Sequence, residues 1–331
     1  FIIAKSGFAS SLIFYDAMLT DVTDDERMDE VSSQGYAWGY IGSCMPFVIC
    51  LVLVLGADKI GISMESAMAL SFAIVAVWWF AMTVPLLRTY KQRHYVKREP
   101  HAVKNSFARI GRTLANVRKE KKIFLFLIAF FFYIDGVYTI IDMATAYGSA
   151  LGLDSTGLLL ALLVTQFVAF PSAIIFGRFA KKFKTEKLIL VCISAYLFIA
   201  VFAIFLATQL QFWILAVLVG MFQGGVQALS RSYFAKIIPS EQAGEYFGLM
   251  DICGKGAAFL GTTVVGMVTQ VTGNMSKGVG VISVLFVVGI VFFNMAMRAE
   301  SAGETKPAQE SDGVGADSHV GDNCKYPIDI V

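Results

Sequence analysis

The chain has 331 residues and a formal net charge of +2, with 56% hydrophobic and only 16% charged residues. Soluble domains carry about 25% charged residues, so this chain lacks the polar atoms to coat a water-facing surface, and a water-soluble protein is excluded. Nothing in the composition points to a nucleic-acid partner.

Cys44, Cys50, Cys192 and Cys253 sit in apolar segments and Cys324 in a polar tail, which is not a disulfide framework. His94, His101 and His319 lie in loops at unrelated spacings. No metal site, nucleophile–base pair or cofactor site is expected, and a membrane enzyme would want one.

About twenty mainly apolar residues span a bilayer as a helix. Nine such runs occur, at about 1–20, 36–56, 65–87, 123–147, 157–179, 187–207, 211–235, 245–270 and 279–297. The first opens inside an apolar stretch without a methionine, so a preceding segment is expected. It carries Lys5 and Asp16, eleven apart and so on roughly one helical face. An acidic loop, "TDVTDDERMDE", follows. The loop at 88–122 holds twelve Lys and Arg residues and "GRFAKKFKTEK" (177–187) five, whereas the loops of the opposite side hold only Lys59 and Lys277. The positive-inside rule therefore places the basic loops in the cytoplasm. Within the long loop, "SFARIGRTLANV" aligns Phe107, Ile110, Leu114 and Val117 on one face, which suits either a helix on an anionic inner leaflet or a solvated connector.

The fourth run, "IFLFLIAFFFYIDGVYTIIDM", places Asp135, Tyr138 and Asp142 on one face. A charge at the bilayer centre costs roughly 2.5–3.5 kcal/mol or more, so that face should look into the protein or a wet cavity. Asp135 reads as a proton-carrying route residue or a structural hydrogen bond, and Asp142 as a route residue or a headgroup contact. On the fifth run, Gln166 suits a helix–helix hydrogen bond and Pro171 a kink. Gln223, Gln227 and Arg231 are spaced by four along the seventh, with Gly220, Gly224 and Gly225 allowing close packing. Arg231 could gate, or snorkel to the inner surface. Asp251 and Lys255 form an i,i+4 pair on the eighth, read as a gating or structural salt bridge. The polar tail from 299 is expected to be disordered.

Two stretches echo each other. "FYDAMLTDVTDDERMDEVSSQGYAWGYIGS" (14–43) and "SYFAKIIPSEQAGEYFGLMDICGKG" (232–256) share an aromatic-rich helix end, an acidic turn and an aromatic–glycine helix start. Two parallel six-helix halves would put both copies at equivalent places. On that reading 1–87 holds the last three helices of a first bundle, 88–122 a basic linker, 123–298 a six-helix second bundle and 299–331 the tail.

This layout resembles the major facilitator superfamily. The signature G-x-x-x-D-R-x-G-R-R of that superfamily is partly kept in "GRFAKKFKTEK", with Gly177 in place and Lys181 where the aspartate would stand. "FYDAMLTDV", "GYAWGYIGS", "FFFYIDGVYTIIDMATAYG", "QFVAFPSAIIFGRFA", "GGVQALSRSYFAKIIP" and "EYFGLMDICGKGAAFLG" together resemble the autophagy-linked vacuolar amino-acid effluxer family and its bacterial relatives. The resemblance implies an all-α polytopic membrane protein with a two-bundle fold, nine of an expected twelve transmembrane helices being present. It also implies a secondary active transporter of a small polar solute, amino acids being the cargo of fungal members. Helices one, four, seven and ten line the central cavity in the superfamily. Lys5 and Asp16 would then lie on helix four, Asp135, Tyr138 and Asp142 on seven, Gln223, Gln227 and Arg231 on ten, and Asp251 and Lys255 on eleven. The expected partners are the solute, protons as a coupling ion and membrane lipid, in a monomer of a bacterial plasma membrane, or a vacuolar one if the source is eukaryotic. A non-transporting membrane scaffold or sensor is the alternative. No G-x-x-x-x-G-K-[ST] motif is present for nucleotide-driven pumping.

The orientation makes a direct prediction. With native cysteines removed, Lys119→Cys should react with an impermeant thiol reagent from the cytoplasm and Ser155→Cys from outside. Labelling of both from one side overturns the span count.

Overall fold

The computed structural model describes residues 2–94 and 102–304. The expected tail lies outside these residues from 305 onward, whereas its first residues continue the last helix.

Helix follows helix. The first half comprises α1 (Ile2–Ala17), α2 (Leu19–Val22), α3 (Met28–Leu55), α4 (Ala57–Ile60) and α5 (Met64–Thr89). The linker contributes α6 (Ala102–Lys119). The second half comprises α7 (Lys121–Ala150), α8 (Ser155–Phe179), α9 (Thr185–Ile204), α10 (Gln209–Ile237), α11 (Ala243–Thr272) and α12 (Met275–Glu304). Among the described residues eight helices are long and apolar enough to cross a membrane, not nine. The expected span at 1–20 is split at Met18 into α1 and α2, and the 16 residues of α1 fall short of a full crossing. The start of α3 is also earlier than apolarity predicted, because the polar turn beginning at Met28 is buried against the second half.

The outer ends are closed by local chemistry. Ser63 caps α5 by accepting from the Ser66 N–H, and Asp154 caps α8 by accepting from the Gly157 N–H at 2.6 Å. Thr208 and Gln211 form a reciprocal capping box at the start of α10. Gly61 and Gly273 end α4 and α11 with φ of 77° and 64°, a region that only glycine enters cheaply.

Between helices in lipid there is no hydrophobic drive, so close packing and small residues must supply the attachment. The second half has a continuous core in which Phe126 stacks on Phe234 at 5.6 Å and Tyr196 on Phe286 at 5.7 Å. Gly220 on α10 lies so close to α8 that a Cβ there would fall 2.7 Å from the Thr165 carbonyl oxygen. The first half is thinner. α5 buries only Ala67, and most of its other apolar side chains are exposed, although Trp79 turns toward Phe8 of α1. Two seams join the halves: α3 against α8 and α10, and α1 against α11.

The linker is fastened at both ends. At its start Asp21 of α2 accepts hydrogen bonds from the Arg93 N–H (3.2 Å), the His94 N–H (2.8 Å) and the Tyr90 hydroxyl, and its Oδ1 lies 3.0 Å from His94 Nδ1. Burial opposes the charge on Asp21, but these donors prevail and hold its carboxyl below the usual range. The Tyr90 phenol is pushed up to about 12 by burial and by its bond to that carboxylate. At the other end Arg109 pairs with Glu245 at the start of α11, and Thr113 Oγ1 donates to the same carboxylate at 2.6 Å. Helix α6 is therefore docked by Arg109, Thr113 and the buried Val117, while Ile110 and Leu114 of the expected apolar face remain exposed. The Phe107 side chain lies outside the described residues.

Asp21 is predicted to set how readily the linker start opens. Because its folded-state pKa is depressed, its contribution holds above the ordinary carboxylate value of about 4 and is lost as pH falls through the lower folded value. Asp21→Asn should speed tryptic cleavage at Lys91 and Arg93 about tenfold at neutral pH, in keeping with lost hydrogen bonds to a charged group. An unchanged rate removes Asp21 as the anchor.

Candidate functional site

The two halves line an open cavity of about 780 Å³. Its walls are mainly apolar and aromatic, including Phe8, Tyr15 and Trp79 of the first half, and its polar groups include Gln166 of α8 and Gln227 and Arg231 of α10. The i,i+4 spacing on α10 puts Gln223, Gln227 and Arg231 on one stripe facing the first half. Gln227 Oε1 lies 3.4 Å from the Tyr40 hydroxyl of α3. Gln223 is buried and, with Gln166, borders a smaller pocket inside the second half.

Arg231 is 5% exposed and does not snorkel. Its Nε donates to Ser32 Oγ at 3.0 Å, one terminal nitrogen to Asp16 Oδ1 at 3.1 Å and the other to the Ser32 carbonyl at 3.1 Å. The guanidinium carbon lies 4.7 Å from the Tyr36 ring centre and 5.3 Å from that of Tyr15, within cation–π range. Every one of these partners belongs to the first half. Ser32 Oγ in turn donates back to the Ala228 carbonyl of α10 at 2.7 Å. Gly35 leaves room for the group: a Cβ there would lie 3.2 Å from the Tyr15 hydroxyl and 3.3 Å from the guanidinium.

One turn nearer the cytoplasm is a second layer that sequence reasoning missed. Asp29, in the first turn of α3, accepts from Thr185 Oγ1 of α9 (2.7 Å), Ser232 Oγ of α10 (2.5 Å) and Lys236 Nζ of α10 (2.6 Å). Beside it, Lys181 pairs with Glu30 at 2.9 Å. Gly177 permits this approach, since a Cβ there would sit 2.8 Å from Ser33 Cβ. The signal available was the lysine at position 181, a charge reversal within the signature that asks for an acidic partner elsewhere. The acidic loop supplies one in Glu30.

The three residues of α7 are separated by their surroundings. Asp135 is 1% exposed, and its Oδ1 accepts from the Gly261 N–H of α11 at 3.1 Å and from Thr139 Oγ1 at 3.2 Å. A Cβ on Gly261 would fall 2.2 Å from that oxygen, so glycine is required. Asp135 thus lies in the α7–α11 contact and not in the wall of the large cavity, as the route reading expected, because the Gly261 gap offers it a backbone donor. Tyr138 is half-buried against the same helix at Gly254. Asp142 is exposed toward the outer end, where Lys5 is the charge acting on it. Lys5 and Asp16 do not meet: Lys5 is exposed with its Nζ 5.8 Å from the Phe8 ring centre, while Asp16 serves Arg231. Asp251 and Lys255 pair at 2.6 Å, and Lys255 Nζ lies 3.4 Å from the Ala9 carbonyl of α1, so this pair also spans the halves. Among the described residues no group of three His, Cys, Asp or Glu side chains converges on a metal-sized space.

An open cavity between two helical halves that are joined by polar contacts agrees with what the chain resembles. The model of the family described as "Vacuole effluxer Atg22 like" matches residues 14–306. The uncharacterized MFS-type transporter YxiO of Bacillus subtilis is 46% identical over 312 residues, covering 94% of this chain and 72% of that protein. Autophagy-related protein 22 of Cryptococcus neoformans is 27% identical over 282 residues, covering 78% of this chain and 49% of that protein. The chain thus spans about half the length of this fungal relative. In fold it is similar to FucP, a major facilitator superfamily transporter crystallised in its outward conformation, with a TM-score of 0.58, 16% identity, and coverage of 85% of this chain and 71% of that one. The chain is a multi-pass integral membrane protein and belongs to the Atg22-like family of MFS-type transporters.

Proposed function

We propose that this chain is the moving part of a secondary transporter that passes a small polar solute, an amino acid, across a bacterial plasma membrane by alternating access. The observation that carries the reading is the Arg231 cluster, where a charge anchored in one half is satisfied entirely by the other, at the floor of an inter-half cavity. Such a floor can open only by exchanging partners, which is what a gate does. The aromatic walls suit an apolar side chain, while Gln227 and Arg231 offer a donor and a cation to a zwitterion's polar end. The amino-acid assignment draws on the fungal relatives, and the plasma-membrane location on the similarity to the Bacillus protein. The reading takes a monomer as the working unit.

Asp135 is the proposed coupling residue, with protons as the coupling ion. Its charge is supported by one backbone donor from α11 and one hydroxyl from its own helix. Sliding of α11 against α7 withdraws the first donor. A carboxylate left with fewer donors in hydrocarbon is neutralised by taking up a proton rather than staying charged. Tyr138 and Asp142, with Lys5, would continue the route outward. Uptake of a labelled amino-acid mixture into proteoliposomes tests the transport reading itself; absence of any saturable flux in the full-length protein defeats it.

Two variants probe its parts. Asp29→Asn keeps an acceptor for Thr185 and Ser232 but removes the attraction to Lys236. It should shift the gate toward cytoplasmic opening by about 5- to 30-fold, the equivalent of roughly 1–2 kcal/mol. The rate of labelling of Ser11→Cys by an impermeant thiol reagent applied from the cytoplasm reads this shift, and an unchanged rate means the Asp29 layer is not a latch. Asp135→Asn preserves shape and acceptor but cannot titrate, so uphill accumulation should fail while solute exchange persists. Asp142→Asn should do less. Uphill accumulation by Asp135→Asn would reduce this residue to a helix-packing acceptor.

A further inference from the structure

The hydrogen-bonding capacity of the Arg231–Asp16 pair is only partly used. A guanidinium carries five N–H donors, and three of those of Arg231 reach Ser32 Oγ, the Ser32 carbonyl and Asp16 Oδ1. One N–H on each terminal nitrogen is left without an acceptor among the described residues, although the side chain is buried and lines the large cavity. Asp16 is half used as well. Its Oδ1 accepts from Arg231, whereas Oδ2 has no partner among the described residues, and the side chain is 32% exposed.

Charge balance decides what these spare atoms suit. Arg231 is the charged residue of the cavity wall, and no carboxylate lines that wall among the described residues. The neighbouring Asp251–Lys255 pair is closed on itself at 2.6 Å. The Arg231–Asp16 pair is neutral as a whole, so a ligand with one net charge would leave that charge uncompensated in largely apolar surroundings, where it is costly. A zwitterion adds no net charge. Its carboxylate accepts from the spare N–H groups, and its ammonium donates to Asp16 Oδ2. An α-amino acid carries both groups on one carbon, which matches a cation and an anion already in contact at 3.1 Å.

We propose that Arg231 and Asp16 together form the subsite that reads the solute's charged end, Arg231 holding an α-carboxylate and Asp16 an α-ammonium. This rests on the amino-acid reading given above and adds to it that both charges must be free. Asp16 is then a specificity-determining residue and not only the partner that keeps Arg231 in place.

The test uses the full-length protein in proteoliposomes and a labelled amino-acid mixture. Three sets of competitors are compared: the same amino acids unlabelled, their amides, which lack the carboxylate, and their 2-hydroxy acid analogues, which lack the ammonium. Amides and hydroxy acids should each compete about tenfold or more weakly, in keeping with lost hydrogen bonds to a charged group. This arm uses the unsubstituted chain and does not depend on a variant folding. Asp16→Asn keeps an acceptor for Arg231 but removes the negative charge, so the hydroxy acids should now compete as well as the amino acids while the amides stay excluded. A structural role alone would lower flux without changing that preference. Should the variant carry no flux, the same competition is read from binding of the labelled mixture to solubilised protein. Equal competition by all three sets overturns the proposal and leaves the transport reading standing, the spare atoms then serving only water. Continued exclusion of hydroxy acids by Asp16→Asn overturns it too. Absence of saturable flux in the unsubstituted protein defeats the transport reading itself, and this proposal with it.

Discussion

One buried guanidinium sets the terms for the join between the two halves. Arg231 sits where a lone charge cannot remain, and the carboxylate, hydroxyl, carbonyl and two aromatic faces that satisfy it all come from α1 and α3. Removing one partner of a buried ion pair typically costs about 3–5 kcal/mol because the other is stranded. The halves are thus held in register by a debt that neither can settle alone. Gly35, Gly177 and Ser32 are small for the same reason: larger groups would keep the seam too wide for the polar contacts to form.

The remaining cross-half contacts are graded along the membrane normal. At the cytoplasmic end the contacts of the Asp29 and Glu30 carboxylates reach three elements of the second half: the α8–α9 turn, α9 and α10. Midway along, on the other seam, Lys255 bridges Asp251 and the α1 backbone. The described inter-half ion pairs thus lie along the inner part of the molecule, where the basic loops are. Charged chemistry is thus gathered at one end of the seam, and the outward-facing surfaces are left to aliphatic packing.

Much of this was legible from residues alone. Helix identity and the all-helical membrane fold follow from apolar run length, because hydrocarbon penalises every unpaired backbone or charged group. The stripe on α10 and the Asp251–Lys255 pair could be read from a spacing of four. Asp135 was harder: periodicity shows which residues share a face, but not that Gly261 of a distant helix opens a gap exposing a backbone N–H. Asp29 was not legible for the opposite reason. Its local context is a hydrophilic loop, and only the fold reveals that Thr185, Ser232 and Lys236 converge on it from 156 to 207 residues away. Nor does any local pattern announce that Asp21 reaches Tyr90 and His94.

The outer turns bear on how the molecule can deform. The α4–α5, α7–α8, α9–α10 and α11–α12 connections are a few residues long and closed by caps or by left-handed glycines. Two helices joined so tightly at one end cannot separate far there, whatever their packing elsewhere. Room for displacement between chain neighbours is therefore greater at the opposite ends, where the α2–α3, α8–α9 and α10–α11 connections are longer.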